Sequence, residues 1–355
     1  MPVRGFLRDY RADVLQPNAN KSIARVSGDT ALVDRFIAAI ETLTRRSDDR
    51  ICLAVSGGTD SMAMLLLAAQ AMPDRIVAAT VNHRLRDEAA AEAAFVAEHC
   101  TRLRILHQTL SPESPITGNI QSRARAVRYD LLQHYAAAQN CAVVATAHHR
   151  DDQLETFVMR LSRGSGVDGL SAVRARNGNI IRPMLQFSRA ELEAACAAYG
   201  VTPVQDPSNA DPDYDRVRIR QWLSKNELPF DAAAVSRSCT ALTDAGDALA
   251  WMTDMLASER IMDNAGTVSI DIQGLPRELR RRLLLRALGR LPAIPIPRGS
   301  ALTAAIAKLE RGEKTMLGDA LIHPGEKWAV AKAPSRRSQI DINTDDDIDI
   351  DEAKG

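Results

Sequence analysis

The sequence predicts an α/β fold: a Rossmann-like parallel sheet with helices on both faces, followed by a smaller, mainly helical C-terminal domain. Two observations support this prediction. Short apolar runs, several of them β-branched, alternate with longer helical stretches between residues 51 and 147. Such alternation indicates βαβ units and a parallel sheet that is buried on both faces. From about residue 231 the chain becomes rich in alanine and arginine and shows few strand signals.

The individual elements follow from the same pattern. The apolar runs predict strands over 51–55, 75–81, 103–108 and 141–147. The stretches between them predict helices over 60–72, 87–100 (with Asp87 as N-cap) and 120–139. Ser188 and Glu191 form a capping-box pattern that opens a further helix, which stops at Gly200. The turn-rich segment 205–220 then passes into a basic helix.

The chain of 355 residues has room for two domains. We expect an N-terminal extension over 1–30, the α/β domain over 31–228, the helical domain over 229–335 and an acidic, disordered tail over 336–355. Residues 341–352 contain seven acidic and no basic side chains. Because the whole chain has 45 acidic and 45 basic residues, the rest carries a net charge of about +7, which suits a polyanionic partner.

The composition excludes several classes of protein. Apolar residues make up 45% and charged residues 25%, as in ordinary globular proteins. The longest apolar runs are far shorter than the ~20 residues of a membrane span, and the N-terminus has no apolar core of a signal peptide. The five cysteines include no C-x-x-C, which argues against a disulfide framework, a zinc ribbon or an iron–sulfur site. We expect a cytoplasmic protein without a membrane partner.

Polar segments follow three of the predicted strands. Ser56–Ser61 follows the first, Asn82–Arg86 the second and His148–Asp152 the fourth. Ligands bind outside the carboxyl ends of the strands in such sheets. These segments should therefore converge on one edge of the sheet.

The segment Ser56–Ser61, SGGTDS, has the composition of a phosphate-binding loop. Its glycines allow close approach of the backbone to a ligand, and the following helix adds a partial positive charge. It lacks the lysine of a P-loop, so no side chain reaches a β/γ-phosphate as that lysine does. Ser56 and Ser61 supply hydroxyls, and Asp60 is suited to hold Mg²⁺. The alternative is a tight turn in which Asp60 or Ser61 caps the helix.

A second cluster contains His148, Asp151, Asp152 and Glu155. The three carboxylates fall on the first turns of a helix, where its dipole favours negative charge. The alternatives are plain helix capping and a zinc site formed by His148, Asp152 and Glu155.

Arginines form two further patterns. Arg125 and Arg128 share a face of the predicted helix 120–139. Arg282, Arg286 and Arg290 form an i, i+4 stripe that is a candidate phosphate-binding ridge. The alternative for this stripe is a solvated face of an amphipathic helix.

The loop matches the S-G-G-x-D-S signature of the PP-loop ATP pyrophosphatases. The chain resembles more closely the tRNA(Ile)-lysidine synthetase family within that group, through the pattern H-x-x-D-D-x-x-E-T followed by R-x-x-R-G-S-G. Further matches are Asn82–Arg86, Ala124–Tyr129, Ile181–Leu185 and DPSNADPDYDRVRIR, and together they cover about 50–225. Gln121 and Val217 depart from the family pattern, where many members have Glu and Asn.

This resemblance implies a reaction and its site. The expected enzyme adenylates the C2 oxygen of the wobble cytidine of a CAU-anticodon tRNA(Ile) with ATP and Mg²⁺, and the ε-amine of L-lysine then displaces AMP. Ser56, Gly57, Gly58, Thr59, Asp60 and Ser61 would bind ATP, with Asp60 also on the metal. His148, Asp151, Asp152 and Glu155 would bind lysine and the adenylate, with Asp60, Arg128 and Asp152 catalytic. The tRNA would meet Arg216, Arg218, Arg220, Arg282, Arg286 and Arg290, and the enzyme would be a monomer or homodimer.

Two other functions stay open at this stage. One is another PP-loop tRNA-modifying enzyme, such as a thiolase without an iron–sulfur site. The other is a non-catalytic nucleotide-sensing module, which would bind ATP without turnover.

Overall fold

The computed structural model describes residues 30–85, 88–204, 215–226, 229–264, 266–292, 294–295 and 299–333. The predicted acidic tail and the predicted N-terminal extension, apart from Thr30, lie outside these residues. So do Arg86, Asp87 and 205–214 of the turn-rich segment. The chain forms two compact units, divided between Thr243 and Asp244.

The first unit is built on one sheet and nine α-helices within the described residues. Its strands β1 to β6 are Ile51–Ala54, Ile76–Val81, His107–Leu110, Val143–Ala145, Arg176–Asn177 and Ile180–Ile181. Its helices α1 to α9 are Thr30–Leu43, Thr59–Ala71, Glu88–Leu103, Ile120–Ala138, Arg150–Leu161, Val167–Leu170, Arg189–Ala198, Asp215–Lys225 and Ala232–Arg260, the last of which continues beyond Thr243. A 3₁₀ turn covers Pro73–Arg75.

The sheet has the order β3-β2-β1-β4-β6-β5. All neighbouring strands are parallel except β5, which pairs with β6 in the antiparallel direction. Ile51 of the central strand lies opposite both Ile76 and Val143. The α/β class with a mostly parallel sheet is thus confirmed.

Both faces of β1 are buried, which explains its continuous apolar sequence. Ile51 and Leu53 belong to the larger core cluster, together with Met64 of α2. Cys52 and Ala54 belong to the cluster on the other face. The side chains alternate between faces along the strand, and each face meets an apolar layer.

The third predicted strand was placed too early. The structure extends α3 to Leu103 and puts β3 at His107–Leu110. Arg104 adopts a φ of 59°, which turns the chain between the two elements. Leu106 is 54% exposed, so the apolar residues of 103–108 do not form one buried run.

The second unit adds a five-stranded antiparallel sheet of order β7-β8-β11-β10-β9. Its strands β7 to β11 are Ile261–Asn264, Thr267–Asp271, Thr315–Leu317, Ala320–His323 and Lys327–Lys332, and its further helices α10 and α11 are Arg277–Leu288 and Gly299–Glu310. Helices make up most of its regular structure, as predicted, and the five strands are elements that the few strand signals of the sequence did not indicate. Only one face of this sheet is buried, so its strands alternate apolar and polar residues in short segments.

The core of the second unit lies between this sheet and its helices. Trp328 and Val330 of β11 pack with Leu283 of α10 and Ile306 of α11. No helix in the described part of the chain is long and apolar enough to cross a membrane.

Candidate active site

The loop between β1 and α2 has the geometry of an anion-binding turn. Gly57 adopts a φ of 92°, a conformation that disfavours any residue with a side chain. Gly58 is the N-cap of α2, and no side chain caps the helix there. Asp60 and Ser61 lie inside the first turn of α2, so the alternative in which one of them caps the helix is wrong. The first amide groups of α2 therefore lack a side-chain acceptor, which suits phosphate.

Hydrogen bonds between the two serines fix the shape of the loop. The backbone N–H of Ser56 donates to Ser61 Oγ at 3.0 Å, and the Ser61 hydroxyl donates to Gly58 O at 2.9 Å. Ser61 is buried, whereas Ser56 is exposed and Thr59 half-buried. Ser61 thus shapes the turn, and its Oγ lies 3.2 Å from the hydroxyl of the exposed Ser56.

Asp60 has one carboxylate oxygen engaged and one unengaged. Its Oδ2 lies 3.5 Å from His149 Nε2. Its Oδ1 is buried and has no hydrogen-bond partner within the described residues. A buried carboxylate oxygen without a donor beside a phosphate-binding turn suits Mg²⁺, which binds through one or two carboxylates together with substrate phosphates.

The acidic cluster lies at the start of α5. His149 is the N-cap, and Asp152 Oδ2 accepts from its backbone N–H at 3.0 Å. His149 Nδ1 lies 3.3 Å from Asp151 Oδ2, and Asp151 Oδ2 also accepts from the Arg189 N–H at 3.0 Å. Capping is therefore part of what these carboxylates do.

The carboxylates hold the buried His149 in its charged form. Burial by itself would lower the pKa of His149, but hydrogen bonds to Asp151 and Asp60 and the charge of Asp152 raise it to about 10. Nδ1 of the imidazolium then donates to the Asp151 carboxylate rather than accepting from the Asp151 amide. The hydrogen bond from His149 holds the pKa of Asp151 down at about 2. His149 thus joins the nucleotide loop to the acidic cluster.

Two arginines of α8 pair with the same cluster. Glu155 is buried, and its Oε2 and Oε1 accept from Arg216 Nε at 2.9 Å and Arg220 Nε at 2.6 Å. Arg216 Nη2 also lies 3.2 Å from Asp152 Oδ1. Within the described residues, no group of three or more His, Cys, Asp or Glu side chains could hold a metal ion. The zinc alternative fails on this geometry, since both oxygens of Glu155 are taken by arginines.

His148 lies among positive charges. Its Nδ1 is 3.0 Å from Thr146 Oγ1. Burial and the nearby guanidinium groups lower the pKa of His148 well below its usual value, so the ring is neutral at pH 7. These guanidinium groups belong to Arg182, Arg216, Arg128 and Arg125. Such a surplus of positive charge favours an anion.

The charge of Arg128 acts on residues in two of the predicted polar segments. It is half-buried on α4, and burial lowers its pKa. Its charge contributes, after burial, to lowering the pKa of both His83, which follows β2, and His148, which follows β4. Because β1, β2 and β4 run parallel, the segments that follow them lie at one edge of the sheet, and Asp60 Oδ2 lies 3.5 Å from His149 Nε2. The predicted convergence of the polar segments is thus confirmed for their described residues.

The same edge collects most of the buried polar atoms that lack a partner. Five such side-chain atoms occur among the described residues, and four belong to segments that follow β1, β2, β4 and β6. The four atoms are Asp60 Oδ1, His83 Nδ1, Arg150 Nε and Arg182 Nε. Because an unmade hydrogen bond costs about 1–3 kcal/mol, this clustering marks a ligand site.

Sequence analysis assigned no role to two residues at this edge. His149 lies within the segment His148–Asp152, and it links Asp60 to Asp151 and Asp152. Arg182 was noted only as part of a family match. It directly follows β6, a strand of two residues that is too short to be recognised as an apolar run.

The arginines predicted to bind tRNA lie in different surroundings. Arg216 and Arg220 point to the acidic cluster, while the exposed Arg218 pairs with Asp215 on α8. Arg282 pairs with Glu278 at 2.8 Å, Arg286 with Asp254 at 2.8 Å and Arg290 with Asp263 at 2.9 Å. The Arg282 side chain is only 11% exposed, and Arg290 lies beyond the end of α10. The predicted stripe is thus an array of ion pairs with two exposed members.

Comparisons with known proteins agree with this geometry. A family described as a PP-loop domain matches residues 31–227. A protein named tRNA(Ile)-lysidine synthase from Zymomonas mobilis subsp. mobilis is 38% identical over 82% of this chain and 91% of its own. A protein of the same name from Novosphingobium aromaticivorans is 40% identical over 81% of this chain and 90% of its own.

Among solved structures, the U34-tRNA thiolase NcsA from Methanococcus maripaludis with its [4Fe-4S] cluster is similar, with a TM-score of 0.50 and 17% identity. The match covers 61% of this chain and 81% of the thiolase, and at this identity it shows a similarity of fold alone. The matches in sequence extend over most of both chains at well above 30% identity, so this chain belongs to the tRNA(Ile)-lysidine synthase family.

Proposed function

We propose that this protein is an ATP-dependent ligase that attaches L-lysine to C2 of the wobble cytidine of a CAU-anticodon tRNA(Ile). Membership of the family supports the use of ATP and the modification of tRNA. The observation that carries the proposal is the cluster of buried, unpartnered polar atoms at the carboxyl edge of the sheet, between a phosphate-binding turn and an acidic cluster.

The first step is activation of the cytidine. Its C2 oxygen attacks the α-phosphorus of ATP, and the bond to the bridging oxygen of pyrophosphate breaks. The amides at the start of α2 and the Ser56 hydroxyl hold the departing pyrophosphate. Arg128 offsets the charge of the adenylyl phosphate, because no residue in the described part of the chain forms an ion pair with it.

The second step is transfer to lysine. The ε-amine must be unprotonated to attack C2, and the C2–O bond then breaks so that AMP leaves. Asp151 and Asp152 would bind the ammonium, since His149 links both carboxylates to Asp60 of the phosphate-binding turn. Asp152 would accept the proton, because the low pKa of Asp151 makes that carboxylate a weak base. Glu155 binds Arg216 and Arg220 and thereby positions these arginines beside the reacting groups.

Magnesium would be held by the unpartnered Oδ1 of Asp60, and when bound it would offset the charge that develops on the phosphates. The tRNA is a polyanion, and the exposed Arg218, Arg286 and Arg290 are placed to contact its phosphates. We propose that the second unit serves tRNA binding, together with the part of α9 that precedes it, so that the tRNA-binding domain begins near residue 229.

The order of events gives the test. If cytidine is the group that receives AMP, exchange of pyrophosphate into ATP requires tRNA and does not require lysine. Radiolabelled pyrophosphate exchange is measured with tRNA alone, with lysine alone and with both. We expect exchange wherever tRNA is present, and a tRNA carrying AMP that accumulates until lysine is added.

Exchange with lysine in the absence of tRNA would contradict the proposal, because it would show that the amino acid is activated first. Binding of ATP without exchange under any condition would point to a nucleotide-sensing module instead. Mass spectrometry of the digested tRNA identifies the modified nucleoside.

A further inference from the structure

Arg182 is a buried cation without a counterion at the ligand edge of the first unit. It is 8% exposed and follows β6 directly. Its Nη1 donates to the carbonyl oxygen of Arg174 at 2.6 Å, while its Nε is buried without a hydrogen-bond partner. Within the described residues it forms no ion pair. A buried charge in this state costs several kcal/mol unless a ligand compensates it.

The surroundings of Arg182 identify the kind of ligand. Thr146 Oγ1 lies 3.0 Å from His148 Nδ1 and 3.5 Å from the carbonyl oxygen of Ile181, the residue before Arg182, so His148 and Arg182 lie near each other. The charge of Arg182, with those of other arginines, helps to lower the pKa of His148. This end of the edge therefore has positive charge in excess and a neutral ring. An oxyanion would supply the missing charge and an acceptor for Nε.

The order of the strands separates this oxyanion from the pyrophosphate. The phosphate-binding turn follows β1, the acidic cluster follows β4 and Arg182 follows β6, with β4 between the other two strands. Two strand spacings place Arg182 roughly 10 Å across the sheet from the turn. The acidic cluster, which would bind the amine, lies between them.

Resting on the proposed function, we infer that Arg182 binds the α-carboxylate of the lysine substrate. A lysine whose ε-amine points toward Asp152 and the phosphates has its other end directed toward β6. Arg182 would then select an amino acid over a simple amine. The same guanidinium would instead stabilise the adenylyl phosphate if the oxyanion were a phosphate, and the experiment separates these two sources.

The test combines a variant with a modified substrate. Lysidine-type product is measured by mass spectrometry at saturating ATP and tRNA, with L-lysine or L-lysinamide, in which a neutral amide replaces the carboxylate. For the unmodified enzyme we expect a KM for lysinamide about tenfold to a hundredfold above that for lysine, the range that one charge-assisted hydrogen bond gives. In Arg182→Gln the KM for lysine should rise to that of lysinamide, and the two values should become equal.

Two further variants keep the test decisive. Arg182→Lys retains the charge and should keep part of the preference for lysine, even if Arg182→Gln folds poorly. Arg176→Gln is the matched control, since Arg176 also donates to backbone carbonyls but lies on β5 and helps to fix the chain at Leu43. It should leave the ratio of the two KM values unchanged.

The inference is overturned if the unmodified enzyme treats lysine and lysinamide alike, or if Arg182→Gln raises both KM values equally. It is also overturned if Arg182→Gln lowers formation of the AMP-tRNA intermediate without lysine present while the KM for lysine stays the same, which would assign Arg182 to the phosphate. Failure of the unmodified enzyme to form AMP-tRNA at all would contradict the proposed function instead. The AMP-tRNA measurement therefore distinguishes the two failures.

Discussion

Arginines are abundant in both units, yet they are used differently. At the carboxyl edge of the first sheet, Arg128 and Arg182 have no ion-pair partner among the described residues, and Arg182 is buried. Around α10 of the second unit, Arg282, Arg286 and Arg290 each have a carboxylate within 3 Å. In the part of the chain that the structure describes, all of the buried side-chain atoms without a partner lie in the first unit.

The number of charges in a segment therefore does not show which charges are available to a ligand. The stripe of α10 looks more basic in the sequence, but its members neutralise neighbouring acids. At the sheet edge, the fold brings together single arginines from separate segments. Two of them, Arg128 and Arg182, form no ion pair with any described acidic residue. Unsatisfied charge marks the site better than charge density.

The largest expected effect comes from removing an unpaired atom at the sheet edge. We predict that Asp60→Asn lowers turnover by about a thousandfold, because the proposed Mg²⁺ would lose its carboxylate ligand and with it several kcal/mol of charge stabilisation. The fold should remain, since the amide keeps the shape of the carboxylate. Pyrophosphate release in the presence of tRNA measures the activity, and circular dichroism checks the fold.

Asp74→Asn is the control for this change. Asp74 is exposed in the 3₁₀ turn Pro73–Arg75, away from the loop after β1. It should leave turnover unchanged. Full turnover by a folded Asp60→Asn variant would show that the carboxylate has only a structural role.

The next effect concerns the ion pairs of a buried carboxylate in the first unit. We predict that Glu155→Gln lowers the free energy of unfolding by about 2 kcal/mol, less than the 3–5 kcal/mol of a fully buried pair because the arginines are partly exposed. Glu155 is 5% exposed, and its partners Arg216 and Arg220 are 38% and 33% exposed. Urea titration gives the change, with Glu193→Gln, which breaks an exposed pair with Arg189, as the control. Equal losses for both variants would show that burial at Glu155 adds nothing.

A third prediction tests whether the paired arginines of the second unit exchange their carboxylates for phosphates. Substituting Arg286 and Arg290 by Gln should flatten the dependence of log affinity for tRNA on log salt by about one unit for each contact. Adding Arg282→Gln should change the slope no further, because that side chain is mostly buried. Affinity is measured by filter binding over a range of salt, with Arg46→Gln, which breaks an exposed ion pair with Asp48 in the first unit, as the control. An unchanged slope would assign the stripe to the solvated surface.

The smallest expected effect is the stability of one such pair. Asp254→Asn removes the partner of Arg286, whose side chain is 50% exposed. We predict a change in the free energy of unfolding within about 0.5 kcal/mol, as for other exposed pairs. Thermal unfolding measured by circular dichroism provides the value. A loss as large as that of Glu155→Gln would remove the distinction between the two units.

Much of the first unit could be predicted from the sequence because its signals are local. The apolar strands β1, β2 and β4 and the Ser188–Glu191 capping box need only neighbouring residues for their recognition, and the structure confirms them. The polar segments after these strands indicate one site, since the carboxyl ends of parallel strands share an edge.

The parts of the structure that could not be predicted depend on contacts between residues that are distant in sequence. Strand β6 has two residues and is held by its pairing with β4, so neither it nor the position of Arg182 had a local signal. The pairing of Glu155 with Arg216 and Arg220 joins α5 to α8. The sheet of the second unit was missed because its strands have three to six residues and one solvated face.

The pairing of β1 with both β2 and β4 has a consequence for how the site is acquired during folding. Ile51 pairs with Ile76 across a single βαβ unit, but with Val143 only across the whole chain between them. Closing the longer loop costs more entropy and is slower, so the β1–β2 pair is expected to form first. A growing chain that ends after β3 would already carry the phosphate-binding turn, while His149, Asp151 and Asp152 would still be missing. Under the proposed function, the carboxylates that would bind lysine join the nucleotide loop late, so the phosphate-binding turn forms before the site is complete.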